Sequence, residues 1–373
     1  MRSGTYVRQV EGYRAFIPNN LPPDPFTIDW EMQELLSNAD RALGRLDGIT
    51  EILPNPDLFV TMYIKQEAVL SSQIEGTQAS LVEVLEYESK SQKGAVKDIS
   101  DVLNYIDAIN YGLKRLEELP LSLRLIKEIH YKLLDKTRGY DKIPGEFRSS
   151  QNWIGAPGCL LKDASFVPPP VNAMNNAMGE LELFLHNNQI RMPFLIRVGF
   201  AHAQFETIHP FLDGNGRMGR LLITFLLCSS GVLKQPLLYL SYYFKKHRQE
   251  YYNYLQLIRD NDMWEQWIKF FLRGVYEVSQ EATVKARLII NMREEHREKV
   301  NGLGAYALPL LEYLYQNPII TVNNIKESFN ITYSTANRLA NSFHQAGILE
   351  NISGTSRNRV YGYMDYLNLF KEI

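Results

Sequence analysis

The stretch His209-Pro210-Phe211-Leu212-Asp213-Gly214-Asn215-Gly216-Arg217-Met218-Gly219-Arg220 gathers the residue types best suited to chemistry in this chain. His209 precedes a proline, and a pre-proline residue is steered out of the helical region, so a helix should end there. An imidazole released at such a point can serve as a general base near neutral pH. Gly214 and Gly216 flank Asn215 just before the apolar run Leu221–Leu227. Glycines at a helix N-terminus let backbone N–H groups converge on an anion, with the helix dipole behind them. Arg217 and Arg220 lie three apart and share one face of the first turn, and two guanidinium forks on one face suit a polyphosphate. Asp213 precedes the nest and could hold a divalent metal against phosphate oxygens. Singly, each residue reads more plainly as a cap, a turn or a solvated face. Together they spell a phosphate-handling site.

A second locus lies upstream, at Ser71-Ser72-Gln73-Ile74-Glu75-Gly76. The apolar spacing predicts a helix over Asp57–Glu75, entered at Pro56 and ended by Gly76 as the residue after its cap. Ser71 and Glu75 are four apart and share a face. A carboxylate in the last turn sits at the negative end of the helix dipole, at a cost of ~0.3–1 kcal/mol when exposed and unpaired. Glu75 therefore gains from a cationic partner.

The string 209–220 matches the signature HPFx[D/E]GNGRxxR at every specified position, and the chain resembles the Fic family. The N-terminal Gly12-Tyr13-Arg14-Ala15-Phe16 and Leu21-Pro22-Pro23, and Leu240-Ser241-Tyr242-Tyr243-Phe244 with Arg248 and Tyr251-Tyr252, extend that resemblance over residues 1 to about 285. The resemblance implies a mainly α fold: a Fic helical core with a small β-hairpin flap, here followed by a C-terminal winged-helix domain. It implies transfer of AMP from ATP to a hydroxyl side chain of a target protein, with self-modification as a further outcome. On the matching positions, His209 is the catalytic base and Asp213 the Mg²⁺ ligand. Gly214, Asn215 and Gly216 form the anion nest, Arg217 and Arg220 hold the β- and γ-phosphates, and Met218 and Gly219 complete the ATP-binding turn. The pattern [S/T]xxxE[G/N] is the family's inhibitory motif, which gives Ser71, Glu75 and Gly76 a regulatory role. Glu75 is then expected to pair with Arg220 in the γ-phosphate site. Tyr252 sits where the family places residues near adenine, and an aromatic face suits a purine.

Two readings stay open beside this one. The same nest and arginines would serve removal of AMP or phosphotransfer with ATP reversed. Alternatively, the chain is a DNA-binding regulator that uses its Fic domain as a nucleotide sensor. His202, seven residues before His209, reads as a satisfied core histidine rather than a metal ligand, because no cysteine or third histidine accompanies the pair.

The elements that must position these groups are mostly helical. Apolar residues recur at three- and four-residue spacing over Leu81–Ser89, Asp101–Leu119, Ser122–Leu134, Asn172–His186, Pro193–Thr207, Arg217–Ser230 and Arg248–Phe271. Residues 1–30, with Pro18, Pro22, Pro23 and Pro25, read as an extended arm. Arg148–Val167 reads as a hairpin closed by Pro168-Pro169-Pro170, and a protein substrate is expected to dock on it edge to edge. The division expected is an N-terminal arm and inhibitory region (1–100), a catalytic core (101–285), a linker helix (286–300) and a winged-helix domain (301–373). In that last domain Tyr306–Tyr315, Thr321–Phe329 and Tyr333–Ala346 predict three helices, and Ile348–Ile352 and Arg359–Tyr363 two strands.

Composition narrows the classes. The chain has 373 residues, 45% of them hydrophobic and 22% charged, enough for a sizeable core. Its formal charge of −2 supplies no global field toward nucleic acid or anionic lipid. The longest apolar run, near Leu221–Cys228, is far shorter than the roughly 20 residues of a membrane helix. With no apolar signal core and only Cys159 and Cys228, a cytoplasmic protein without a disulfide scaffold is expected. Residues 301–373 carry five basic and five acidic side chains. That balance favours a protein-facing role over nucleic acid, although Ser334, Thr335, Asn337, Arg338, Asn341, Arg357 and Arg359 could read base edges. A homo-oligomer is left open.

Overall fold

The computed structural model describes residues 1–51, 56–90, 97–135, 142–156, 158–355 and 359–371. Pro157 of the expected flap hairpin and Arg357 of the expected wing lie outside them. The chain opens with strands β1 (Gly4–Arg8) and β2 (Arg14–Pro18). Among the described residues eleven α-helices follow: α1 (Trp30–Glu51), α2 (Pro56–Ile74), α3 (Leu81–Lys90), α4 (Lys97–Leu116), α5 (Leu123–Leu133), α6 (Val171–His186), α7 (Phe194–Ile208), α8 (Asn215–Ser229), α9 (Ser241–Lys246), α10 (Arg248–Asn261) and α11 (Trp264–Val300). The C-terminal elements are α12 (Ala307–Gln316), β3 (Ile319–Thr321), α13 (Val322–Phe329), α14 (Tyr333–Gln345), β4 (Glu350–Asn351), β5 (Val360–Gly362) and α15 (Met364–Asn368).

Helices α7 and α8 form the centre. Both are surrounded by other elements, and nearly all their residues, polar ones included, are buried. Close backbone approach locks neighbours onto them. A Cβ at Gly199 of α7 would lie 2.8 Å from Ile268, and Trp267 donates its indole N–H to the Gly199 carbonyl at 2.9 Å. α1 packs along α11, while α4 and α5 cover α8. Ser122 caps α5 by accepting from the Leu125 N–H, the role its residue type favours.

Four expectations change. The arm is a hairpin: β1 and β2 pair antiparallel with Tyr6 opposite Phe16. It is also anchored, because the Arg2 side chain bonds Asp262 and Glu265, and the Phe16 N–H donates to the Val167 carbonyl at 2.9 Å. The predicted helix Arg248–Phe271 is two helices, broken where Asp262 adopts φ 63 and accepts from the Arg2 and Ser3 N–H groups. Those N–H donors hold the carboxylate in the turn, and helical periodicity carries no sign of them. Among the described residues the predicted hairpin Arg148–Val167 keeps one antiparallel bridge, Ile154 to Phe166, with a short 3₁₀ turn at Leu161–Asp163 between. Finally, the predicted two-stranded C-terminal sheet has a third member. The order is β3-β5-β4, all antiparallel, with Ile319–Thr321 too short to show alternation.

The C-terminal elements rest on the N-terminal half. α12 packs on α2, and β3 packs on α3. The Gln66 amide of α2 donates to the Phe370 carbonyl at 3.1 Å, and the Phe370 ring meets Tyr63 edge-on at 5.5 Å. The boundary expected at residue 286 falls inside α11, which runs unbroken for 37 residues. No helix among the described residues is long and apolar enough to cross a membrane.

Candidate functional site

The segment between α7 and α8 is held by groups that all address its backbone. His209 caps α7 in the left-handed region (φ 50, ψ 60), with its N–H on the Phe205 carbonyl at 2.9 Å. Arg148, fully buried, donates Nε to the His209 carbonyl at 3.0 Å and Nη2 to the Pro169 carbonyl at 2.5 Å, and its own N–H to Pro210 at 2.9 Å. Asn152 donates to the carbonyls of His209 and Phe211 at 3.2 and 2.9 Å. The Asn215 amide clasps Phe211 from the other side, accepting from its N–H and donating to its carbonyl, both at 2.8 Å. Such pairing satisfies a buried turn that would otherwise leave several polar backbone groups unpaired.

His130 of α5 completes the clamp. Its ring stacks on Phe211 at 3.6 Å between centroids and 7° between planes. Nδ1 accepts from the Gly145 N–H at 2.9 Å, which places the proton on Nε2, the donor to the Asp213 carbonyl at 2.9 Å. Burial lowers this imidazole to about 4, so it stays neutral.

At the start of α8, Gly214 has φ 77 and Asp213 Oδ1 accepts from the Gly214 N–H at 2.6 Å. The first helical hydrogen bond runs from Met218 N–H to the Gly214 carbonyl. The N–H groups of Asn215, Gly216 and Arg217 thus precede the intrahelical ladder and point the dipole's positive end outward. Arg217 approaches Asp213 at 3.7 Å. The structure brings His209, Asp213, Gly214, Gly216, Arg217 and Arg220 to one turn. Met218 belongs elsewhere: its side chain is fully buried in the hydrophobic core, so it is a packing residue of the motif. Gly219 also serves packing, because a Cβ there would lie 2.2 Å from Glu206 Oε1. Asn215 spends its amide on the Phe211 clasp and offers only its N–H to the nest.

Helix α2 reaches this turn with its last residues. Arg220 donates Nε to Ser71 Oγ at 2.8 Å, and Nη2 to the Ser71 carbonyl at 2.9 Å and to Glu75 Oε1 at 2.7 Å. α2 ends at Ile74, so Glu75 projects from the first non-helical residue, followed by Gly76 at φ 99. Glu75 also fills the space above Gly216, where a Cβ would meet its Oε1 at 2.2 Å. Burial alone would raise the Glu75 carboxyl, but Arg220, and then Arg217, hold it below the ordinary carboxylate range.

The electrostatics of His209 run the other way. Burial, followed by the charges of Arg259 and Arg148, lowers its imidazole to about 4, and Nδ1 is buried with no well-aligned hydrogen-bond partner. His202 is a core histidine: Nδ1 donates to the Gly219 carbonyl at 2.8 Å, which leaves Nε2 to accept from the Tyr251 hydroxyl at 2.9 Å. Tyr251 is therefore occupied and fully buried. Tyr252 keeps an exposed ring under the Arg248 guanidinium, and its hydroxyl, raised to about 12 by burial and then by Glu75, feels the charges of Glu75 and Arg220. It stands at the edge of the same site.

Sequence reasoning missed His130, Asn152 and Glu206, and read Arg148 only as the start of a hairpin. A signal existed for His130, which lies on the apolar stripe Ile126, Ile129, Leu133 of α5. The others act through backbone carbonyls or through burial, which leave no spacing to read. Glu206 is buried under Arg220 and Arg259, with Oε1 unpartnered and its carboxyl raised to about 7 by burial.

Two family descriptions match the chain in succession: Fic/DOC family N-terminal over residues 33–114, and Fic/DOC family over residues 120–227. The chain belongs to the Fic/DOC family. Among similar proteins, a Protein adenylyltransferase Fic of Aedes aegypti is 30% identical over 197 residues, which cover 51% of this chain and 36% of that protein. One of Culex quinquefasciatus is 29% identical over 199 residues, with the same coverage. The match therefore spans about a third of the length of these curated relatives. A Fic family protein from Desulfovibrio desulfuricans G20 shares the fold, with a TM-score of 0.58 and 19% identity, covering 91% of this chain and 97% of its own. Fic-1 (residues 134–508) of C. elegans aligns at a TM-score of 0.51 and 18% identity, over 70% of this chain and 73% of its own.

Proposed function

We propose that this Fic protein transfers AMP from ATP to a hydroxyl group of a protein, and that α2 holds the reaction back. The observation that carries the reading is the convergence of His209, the N-terminus of α8, Arg217 and Arg220 on one turn, with Glu75 at 2.7 Å from Arg220. A triphosphate suits the N–H groups of 215–217 and the two guanidiniums, because phosphoryl-type transfer depends on positioning and charge neutralisation more than on covalent help. His209 accepts the proton of the incoming hydroxyl, whose oxygen bonds to the α-phosphorus as the bond from that phosphorus to the α–β bridging oxygen breaks, its electron pair leaving with pyrophosphate. The relatives named protein adenylyltransferases support this choice of reaction.

Asp213 fits Mg²⁺ as a single hard-oxygen donor beside the nest: Mg²⁺ takes one or two carboxylates and completes its shell with phosphate oxygens and water. Among the described residues no cluster of three or more His, Cys, Asp or Glu side chains offers an all-protein cage. The ion would supply charge neutralisation on the phosphates, while Gly214 N–H and Arg217 orient the carboxylate that holds it.

With Glu75 on Arg220, the guanidinium needed for the last phosphate is already paired, and the space over Gly216 is filled. We read this as autoinhibition. The segment 148–167, bridged once at Ile154–Phe166 beside His209, is the surface on which a protein substrate would lie. The C-terminal module is read as a winged helix facing protein, because Arg359 already binds Asn341 at 2.9 Å and Asn337 at 2.7 Å. The test incubates wild type and Glu75→Gly with ATP labelled at the α- or the γ-phosphate. Label on protein from the α position alone is expected, stronger in the variant. Label from the γ position would mean phosphotransfer, release of AMP from a modified protein would mean removal, and no label in either chain would end the proposal.

A further inference from the structure

Against α2, toward α11 and the end of α15, lies a cavity of about 490 Å³. That size is ordinary for a small-molecule pocket, roughly 300–1,000 Å³. Its walls are mostly apolar and include three tyrosine rings, Tyr63, Tyr239 and Tyr242. Glu67 also lines it. This carboxylate is 2% exposed, and its Oε1 accepts from Tyr105 at 2.9 Å and Ser241 at 2.5 Å, while Oε2 has no partner. The Tyr239 hydroxyl beside it is equally buried and unpartnered. A lone buried carboxylate oxygen costs stability unless something answers it.

One ring of this cavity, Tyr63, already receives a cation, shared with the neighbouring Phe370. The ammonium of Lys285 lies 5.7 Å from the Tyr63 ring centre and 5.0 Å from that of Phe370. A buried carboxylate framed by tyrosines is the arrangement that recognises an organic ammonium, by charge at one end and ring faces around it. We propose that this cavity is a binding site for a small organic amine with an apolar body, its ammonium directed to Glu67.

The position gives the site reach. Glu67 and Ser71 are four apart on one face of α2, and Glu75 follows four residues on, just past the helix end. Tyr105 hydrogen-bonds both Glu67 and Ser71, and Ser71 holds Arg220. A polar chain thus joins the cavity to the nucleotide turn. The binding claim itself does not depend on the proposed activity.

Burial raises the Glu67 carboxyl to about 7, opposed by Ser241, Tyr105 and Arg220. The other charged groups near it are Glu281 and Lys285 on α11 and Lys371 at the mouth. Because an alkylammonium stays charged through this range, affinity should rise between pH 6 and pH 8 as Glu67 ionises.

The experiment is calorimetric titration of the full chain with phenethylamine, phenethyl alcohol and 3-phenylpropionate, at pH 6 and pH 8. The amine alone should bind, several-fold more tightly at pH 8. Glu67→Gln should weaken it about tenfold or more. Val284→Trp, a change at the exposed rim that covers the opening, should abolish it without touching Glu67. Equal binding of the alcohol, indifference to both substitutions, or a complex whose cavity holds water only at Glu67 would overturn the proposal.

Discussion

His209 is held neutral more firmly than a solvent-facing imidazole. Burial and the arginines at 259 and 148 bring it to about 4. The neutral ring is the form that accepts a proton, so kcat/KM, which reports the free enzyme, should keep its level as pH falls from 8 to about 5. An acid limb centred near 6.5 in the Glu75→Gly chain would contradict this. Replacing His209 by Ala should abolish AMP transfer while Mg·ATP binding measured by calorimetry persists, since the nest and arginines remain. His130 acts one step back. His130→Ala removes the donor to the Asp213 carbonyl and the stack on Phe211, and leaves buried groups unpaired. Stability should fall by about 1–3 kcal/mol, and KM for ATP should rise more than kcat falls. An unchanged melting temperature and KM would show that the clamp is idle.

At the scale of the element, α2 and the α7–α8 turn decide the behaviour. Glu75→Gly removes the acceptor from Arg220 and clears the space over Gly216, and AMP transfer should rise about tenfold or more, the equivalent of one charge-assisted hydrogen bond. Unchanged transfer would show that α2 is no plug. Gly214→Ala forces an L side chain into φ 77, at a cost of about 1–2 kcal/mol, readable in chemical denaturation. These elements were legible because their signals are local: apolar spacing for α7 and α8, His-Pro for the end of one, Gly-Asn-Gly for the start of the next, Pro56 and Gly76 around α2. What was illegible depends on distant partners. Asp262 breaks the run Arg248–Phe271 because Arg2 and Ser3 reach it across the whole core. Gly4–Arg8 is a strand because Arg14–Pro18 returns beside it, and the described residues of the flap keep a single bridge where its composition suggested a full hairpin. Arg148 serves carbonyls from three segments, and nothing in its neighbours announces that.

Across the whole molecule, the C-terminal module braces α2, the helix that leads into Glu75. Phe370→Ala would empty the contact with Tyr63 and Lys285 and should cost about 3–5 kcal/mol. With α2 less supported, basal AMP transfer should rise alongside the loss of stability. A destabilised chain with unaltered transfer would separate the two. Helix α11 sets the scale on which such effects travel. Its first turns hold Gly199 of α7 through Trp267, and its far end carries Arg293 bonded to Glu312 of α12. At 1.5 Å per residue, a rod of this length extends about 55 Å, and a tilt of about 5° sweeps its far end through about 5 Å. A partner that nudged the C-terminal module sideways would therefore be working the long arm of a lever whose pivot lies against the helix that presents His209.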